Sequence, residues 1–176
     1  MFLPPTVGSV RKFFTIPSIS KEAPNNMIAL AGDHGGFALK QEIISVLNEL
    51  NLEFQDFGSY DPERTDYAPY AYKAAMAVID GSCDKGIIIC GTGVGISIAA
   101  NKVKGIRCVV CSEPFSAIMS RKHNDTNMLA LGGRVIGPEL ARMIVECWLT
   151  TEFESGGRHQ RRVEQIREIE NGEMKI

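Results

Sequence analysis

The stretch Lys85-Gly-Ile-Ile-Ile-Cys90 runs directly into Gly91-Thr-Gly-Val-Gly95, and these two segments determine the predicted fold class. The first is an apolar run of strand length, typical of a strand buried on both faces. The second is a glycine-rich turn that opens a helix through Ala100. The same order recurs along the chain, with further strands predicted at 27–32, 52–57, 106–111 and 127–132 and closing helices at 138–149 and 158–170. Strands alternating with helices in this way predict an α/β fold, with a parallel sheet covered by helices on both faces.

Length and composition predict one soluble domain with an appendage. The 176 residues, 44% of them hydrophobic, are enough to bury one core of ordinary size. Prolines interrupt residues 1–26, which also carry three positive side chains against the single carboxylate of Glu22. We therefore expect an N-terminal extension over 1–26, outside the core, and a single domain over 27–176.

The charge balance excludes several classes of partner. Nineteen Lys and Arg against 21 Asp and Glu give a net charge of −2, which offers no general attraction to nucleic acid or an anionic membrane. No apolar run approaches the roughly 20 residues of a membrane-spanning helix. Five cysteines, an odd number in a chain without a convincing secretory signal, predict reduced thiols and a cytoplasmic location.

The glycine-rich turn is the first candidate for binding chemistry. Its small residues allow backbone N–H groups to approach an anion at the start of a helix, although a tight structural turn explains the pattern equally well. The spacing is G-x-G-x-G, and Ile96 occupies the position of the third glycine of a dinucleotide-binding motif. A nucleotide-dependent oxidoreductase is therefore the weaker alternative.

Other polar residues also follow predicted strands, where ligands bind in open parallel sheets. Cys90 ends its strand among amide dipoles that favour a thiolate, although a lone cysteine in such a position is more often packing. Asp33 and His34 follow the first strand, and a helix-capping role for Asp33 is equally plausible. Arg134 follows the last strand.

Two polar clusters fall on helices instead. His123 and Asn124 are predicted at a helix C-terminus, where Asn124 could equally be a left-handed cap residue. Arg158 and Arg162 lie four apart, hence on one helical face, where they could grip a phosphate or simply form a solvated charged surface.

The remaining cysteines give little support for a metal site. Cys108 and Cys111 match C-x-x-C, but in a strand they point to opposite faces, which makes a shared metal or a disulfide geometrically unfavourable. The three histidines have no metal-ligand spacing to one another or to a cysteine pair. We expect no metal.

Six ordered motifs resemble those of ribose-5-phosphate isomerase type B, over residues 27 to about 170. They are Gly32-Asp-His-Gly-Gly36, Arg64-Thr-Asp-Tyr67, Ile89 to Asn101, Cys111-Ser-Glu-Pro114, Arg121 to Asn127, and Gly156-Gly-Arg-His-Gln160. The resemblance implies a Rossmann-like three-layer α/β/α sandwich with a five-stranded parallel sheet and an extra C-terminal helix. It also implies a homodimer or a dimer of dimers with shared active sites, and no cofactor.

The same resemblance implies an activity and roles for individual residues. Such enzymes interconvert ribose 5-phosphate and ribulose 5-phosphate through an enediolate, in the non-oxidative branch of the pentose phosphate pathway. By analogy, Cys90 is the base that moves the proton and His123 opens the sugar ring. Thr92 and the amides of Gly91, Gly93, Val94 and Gly95 face the oxyanion, Asp33 and Asn124 hold sugar hydroxyls, and Tyr67 lines the pocket. His34, Arg134, Arg158 and Arg162 bind the phosphate, with His159 as a neighbour.

Two alternatives to this function remain open at the level of sequence. A six-carbon substrate, allose or galactose 6-phosphate, differs from ribose 5-phosphate by one hydroxymethylene group, and no single residue indicates the depth of the pocket. A sugar-phosphate sensor without turnover would keep the fold and the arginines, but Cys90 and His123 argue against it.

Overall fold

The central strand of the sheet is the segment Lys85–Cys90, as the sequence predicts. The computed structural model describes residues 26–175, so the predicted extension lies outside the described residues except for Asn26. The elements in chain order are β1 (Ile28–Gly32), α1 (Phe37–Glu49), β2 (Phe54–Asp56), α2 (Tyr67–Ile79), β3 (Lys85–Cys90), α3 (Val94–Ala100), β4 (Cys108–Val110), α4 (Pro114–Asn124), β5 (Met128–Gly132), α5 (Pro138–Thr150) and α6 (Gly157–Asn171).

The five strands form one parallel sheet in the order β2-β1-β3-β5-β4. From β1 the chain passes first to β2 on one side and then to β3 on the other, so the direction of winding reverses between β1 and β3. Ligands of open α/β sheets bind outside the carboxyl ends of the strands at such a point.

Helices cover both faces of the sheet, which confirms the predicted three-layer sandwich. Ile87 and Ile89 point into a core shared with α1, α4 and α5, which contains the fully buried Trp148. Ile88 and Cys90 point into the opposite core, formed with α2 and α3. Helix α6 is the extra element and packs on α4. In residues 26–175, no helix has the length and apolar character needed to cross a bilayer.

Several boundaries differ from those predicted. Strands β2 and β4 have three residues each, shorter than expected, because they are the outermost strands of the sheet and each pairs with one neighbour only. Helix α2 begins at Tyr67 rather than at residue 70, since Asp66 occupies the N-cap position. The left-handed residue that ends α4 is Asp125, with φ of 47°, and not Asn124.

The C-x-x-C pair behaves as the strand geometry predicts. Cys111 lies in the core with α1 and α5, whereas Cys108 packs against the opposite core. Burial raises the pKa of the Cys111 thiol to about 11, and all five cysteines of the chain are free.

Candidate active site

The carboxyl ends of β1, β3 and β5 meet at one edge of the sheet. The Asp33 amide donates to the Ile89 carbonyl at 3.1 Å, and the Gly133 and Arg134 amides donate to the carbonyls of Cys90 and Gly91 at 2.8 and 3.0 Å. These bonds join the three loops that follow the strands. We call Asp33, His34, Cys90, Thr92 and Arg134, which these loops carry, the strand-end cluster.

Close backbone contact between these loops depends on glycine. A Cβ atom on Gly36 would lie 2.4 Å from the Ile89 carbonyl oxygen, so any side chain there would push the loop after β1 away from β3. Gly93 has φ of 79°, a left-handed conformation that a side chain disfavours.

The Cys90 thiol is buried, with 4% of the residue exposed, and has a backbone partner. The Gly93 amide donates to Cys90 Sγ at 3.2 Å, a bond that stabilises negative charge on sulfur. The Val94 amide donates to Thr92 Oγ1 at 3.3 Å. Two of the amides predicted to face an oxyanion therefore have partners inside the loop, and one of those partners is the thiol itself.

Asp33 is not the N-cap residue of α1, and its carboxylate bonds to the turn before the helix. Its Oδ1 accepts the Gly36 amide at 3.0 Å and so closes the turn before α1, whose N-cap residue is Gly36. Within residues 26–175, Oδ2 has no hydrogen-bond partner, although Asp33 is only 6% exposed. One carboxylate oxygen thus closes the turn, and the other has no bond within residues 26–175.

Tyr67 and Arg134 flank the glycine-rich loop on two sides. The ring of Tyr67 lies so close to Gly95 that a Cβ atom there would be 2.7 Å from Cζ. The Arg134 guanidinium lies over Gly91, at 3.6 Å from the equivalent Cβ position. His34 approaches the backbone of Thr65 through Nδ1, at 3.1 Å from the carbonyl oxygen and 3.3 Å from the amide nitrogen.

The other predicted residues lie at the opposite edge of the sheet. Helix α4 begins after β4 and runs back over its 11 residues, about 16 Å, so His123 and Asn124 lie beside the starts of the strands. Arg107, which precedes β4, donates to the Asn124 carbonyl at 3.1 Å. We call His123, Asn124, Arg158, His159 and Arg162 the helix-end cluster. A single chain does not bring His123 to Cys90.

Helix α6 enters the helix-end cluster next to α4. The Glu154 amide donates to the Lys122 carbonyl at 3.0 Å, and the two side chains form an ion pair at 3.2 Å. The rings of His123 and His159 stack with centroids 4.0 Å apart and planes within 5°. Arg158 is exposed, one helical turn before the exposed Arg162.

His159 has contacts that the sequence did not predict, with both His123 and Arg158. Arg158 Nε–H donates to His159 Nε2 at 3.3 Å, so the neutral ring carries its proton on Nδ1. That Nδ1 is buried and has no partner in the described residues. Burial, followed by the nearby His123 and Arg158, lowers the pKa of His159. This shift favours the neutral form of the stacked ring.

Two residues of this cluster, together with Glu154 next to it, place three possible metal ligands close together, which sequence spacing did not suggest. Ligand atoms of His123, Glu154 and His159 lie within 4.8 Å of one another. The two imidazole planes are parallel, so their lone pairs do not converge on one ion. The Glu154 carboxylate already pairs with the Lys122 ammonium at 3.2 Å, so it is not a free ligand.

Comparison with known proteins identifies the family. The family model described as Ribose/Galactose Isomerase matches residues 28–166. The chain belongs to the ribose/galactose isomerase family. The predicted resemblance and the predicted class of enzyme, a sugar-phosphate isomerase, are thereby confirmed.

Individual members of the ribose/galactose isomerase family are similar over almost their full length. Ribose-5-phosphate isomerase B of Escherichia coli (strain K12) is 61% identical over 143 residues, 81% of this chain and 95% of that protein. D-erythrulose-4-phosphate isomerase of Pectobacterium atrosepticum is 46% identical over 132 residues, 74% of this chain and 86% of that protein. The structure of Clostridium thermocellum ribose-5-phosphate isomerase B superimposes with a TM-score of 0.81 at 53% identity, covering 84% of this chain and 99% of that chain.

Proposed function

We propose that this family member interconverts ribose 5-phosphate and ribulose 5-phosphate, as a step of the non-oxidative pentose phosphate pathway and without a metal or organic cofactor. The observation that carries the chemistry is the buried Cys90 thiol, which accepts a hydrogen bond from the Gly93 amide at 3.2 Å at the start of the glycine-rich loop. The choice of a five-carbon substrate is supported by the name of the 61% identical relative.

The proposed reaction needs one base that acts twice. The Cys90 thiolate removes the proton from C2 of the open-chain aldose, and the electron pair moves onto the carbonyl oxygen at C1 to give an enediolate. The hydroxyl proton on O2 then passes to O1, so that the negative charge lies on O2. As the C2 ketone forms, the electron pair of the double bond takes the proton from the thiol at C1, which regenerates the thiolate. Thr92 and the amides of the glycine-rich loop stabilise the negative oxygen of the intermediate.

The remaining roles follow the two clusters. His123 opens the furanose ring, Asp33 and Asn124 bind hydroxyl groups, and Tyr67 lines the sugar pocket. Four cationic or potentially cationic side chains hold the phosphate: His34, Arg134, Arg158 and Arg162.

Because the two clusters lie at opposite edges of one chain, a complete site requires a second copy. In the proposed homodimer, or dimer of dimers, the helix-end cluster of one copy meets the strand-end cluster of the other. Exposed apolar side chains around the strand ends support a contact between copies there. They are Val94, Ile98, Val110, Phe115 and Val135, each between 37% and 68% exposed.

The proposal also covers the compartment and the other partners. Five free cysteines, among them the proposed base, favour a reducing compartment, and we propose the cytoplasm. The net charge of −2 favours a small phosphorylated sugar, bound by locally clustered cations, over nucleic acid or a membrane surface.

The test is a direct isomerase assay of the purified full-length chain. We expect the highest kcat/KM with ribose 5-phosphate among ribose 5-phosphate, erythrose 4-phosphate, allose 6-phosphate and galactose 6-phosphate. The four-carbon sugar is included because one relative is named for a four-carbon substrate. A preference for either six-carbon sugar would contradict the proposed substrate, and NAD(P) binding without isomerisation would favour the oxidoreductase.

The same assay tests the base. Cys90→Ala should lower kcat by at least about 10²-fold, the lower range for a group in acid–base catalysis, in a variant that still unfolds cooperatively on heating. The matched control is Cys147→Ala, a half-buried thiol on α5 that should leave kcat within about twofold. Near-normal kcat in a folded Cys90→Ala variant would remove this role from Cys90.

A further inference from the structure

Lys40 is a lysine with no exposed surface, and the proposed chemistry does not use it. It lies on α1, and its ammonium group donates to both carboxylate oxygens of Asp56, at 2.8 and 2.6 Å, and to the Ser59 carbonyl at 2.7 Å. All three N–H donors are therefore occupied. Lysine is almost never fully buried unless it is paired, and a buried pair is a weak source of net stability. The buried Lys40–Asp56 pair is better explained by the backbone conformation that it fixes after β2.

The conformation in question is that of residues 57–66, which we call the β2–α2 segment. Asp56 Oδ1 also accepts the Gly58 amide at 2.8 Å, so the carboxylate holds the first turn of this segment. The Gly32 amide donates to the Gly58 carbonyl at 2.6 Å, and the Ser59 amide donates to the Gly32 carbonyl. Gly32 is the last residue of β1, immediately before Asp33 and His34. Lys40 thus fixes the β2–α2 segment against the start of the strand-end cluster.

The far end of the same segment contacts His34. Both the carbonyl and the amide of Thr65 lie within hydrogen-bond distance of Nδ1, at 3.1 and 3.3 Å. The amide can donate to Nδ1 when this atom is unprotonated, and the carbonyl can accept from it when it is protonated. Nε2, which has no partner within residues 26–175, can therefore carry a proton in both the neutral and the cationic ring. This arrangement suits a donor to an anion.

We propose that Lys40 is a positioning residue for substrate binding, acting through Asp56, the β2–α2 segment and Thr65 to orient His34 towards the phosphate of the sugar. The inference rests on the proposed function, because that function supplies the phosphate. Tyr67, the first residue of α2, follows the segment directly. Lys40 itself touches neither the substrate nor the reacting atoms.

The placement of the ring is tested without any assay of activity. The chain has three histidines, so the ring ¹H–¹⁵N correlations of the full-length protein form three sets, and His34→Gln assigns one of them. In Lys40→Met we expect the His34 signals to shift and broaden. Arg142→Met is the control, since it removes ion pairs to Glu49 and Glu146 at 2.6 and 2.9 Å that do not involve the segment.

Steady-state kinetics then test whether the orientation of His34 matters for substrate binding. Lys40→Met should raise KM for ribose 5-phosphate by about tenfold, the value of one hydrogen bond to a charged group, with kcat within about twofold. Loss of packing alone would reduce the fraction of active enzyme and hence kcat, and would leave KM unchanged. If Lys40→Met does not fold, Asp56→Asn keeps the shape and one acceptor, and should show the same changes at a smaller amplitude.

Unchanged His34 signals in a folded variant would overturn the inference, and so would shifted signals with an unchanged KM. A wild-type protein without isomerase activity would instead contradict the proposed function, and the His34 signals would still decide whether Lys40 orients the ring.

Discussion

At the residue scale, Cys90 and His123 differ in how far sequence alone could assign them. The end of a buried strand before a glycine-rich turn predicts where Cys90 lies. It does not predict the bond from the Gly93 amide to Sγ, which depends on the left-handed backbone of Gly93. The stack of His123 on His159 joins residues 36 positions apart on two helices, a relation that no local pattern contains.

The role of His123 can be separated from that of Cys90 by the choice of substrate. Erythrose 4-phosphate has no free hydroxyl that could close a furanose ring, so its isomerisation needs no ring opening. His123→Asn should lower kcat/KM for ribose 5-phosphate by about 10²-fold and for erythrose 4-phosphate by less than about threefold. Cys90→Ala, as the reference, should lower both. Equal losses in His123→Asn would contradict a role in ring opening.

At the scale of elements, the sequence predicted β3 to the residue because its apolar run is bounded by a polar residue and a glycine. It overestimated β2 and β4, since nothing in a short apolar run distinguishes an edge strand from a central one. Lys40 is a further miss. It occupies a polar position in the pattern of α1, and its burial depends on Asp56, which belongs to another element.

Helix α6 was predicted correctly as an element. Its proposed role in binding the phosphate depends on Arg158 and Arg162. Arg158→Ala should raise KM for ribose 5-phosphate about tenfold and change kcat by less than about twofold, because a contact made in the ground state is lost. Arg161→Ala is the control on the same helix, an exposed charge without an assigned role. Should the two variants show the same KM, the arginines would be no more than a solvated helix surface.

At the scale of the whole molecule, the charge of −4 left after residues 1–26 has to be reconciled with an anionic substrate. One chain offers His34 and Arg134 at one edge of the sheet and Arg158 and Arg162 at the other. Neither edge alone offers all four groups, whereas in the proposed dimer a two-fold axis would bring both edges together twice. The division follows from the fold, because a helix that follows a strand in a parallel sheet runs back to the opposite edge.

A shared site of this kind predicts recovery of activity when two inactive variants are mixed. In a dimer of Cys90→Ala with His123→Asn, one site combines the intact Cys90 of the second chain with the intact His123 of the first, and the other site has lost both groups. After unfolding and refolding of equal amounts together, half of the dimers are mixed, so activity should return to about a quarter of the wild-type value. A mixed dimer isolated through two different affinity tags should reach about half.

The control mixture pairs Cys90→Ala with Asp33→Ala, two residues of the strand-end cluster that a single chain contributes together. Every site in that mixed dimer lacks one of the two groups, so no activity beyond that of the separate variants should appear. Recovery in the first mixture and not in the second would establish that the clusters act across copies. If neither mixture recovers although mixed dimers form, then His123 and Cys90 do not complete one site between copies, and the proposed geometry of the active site fails.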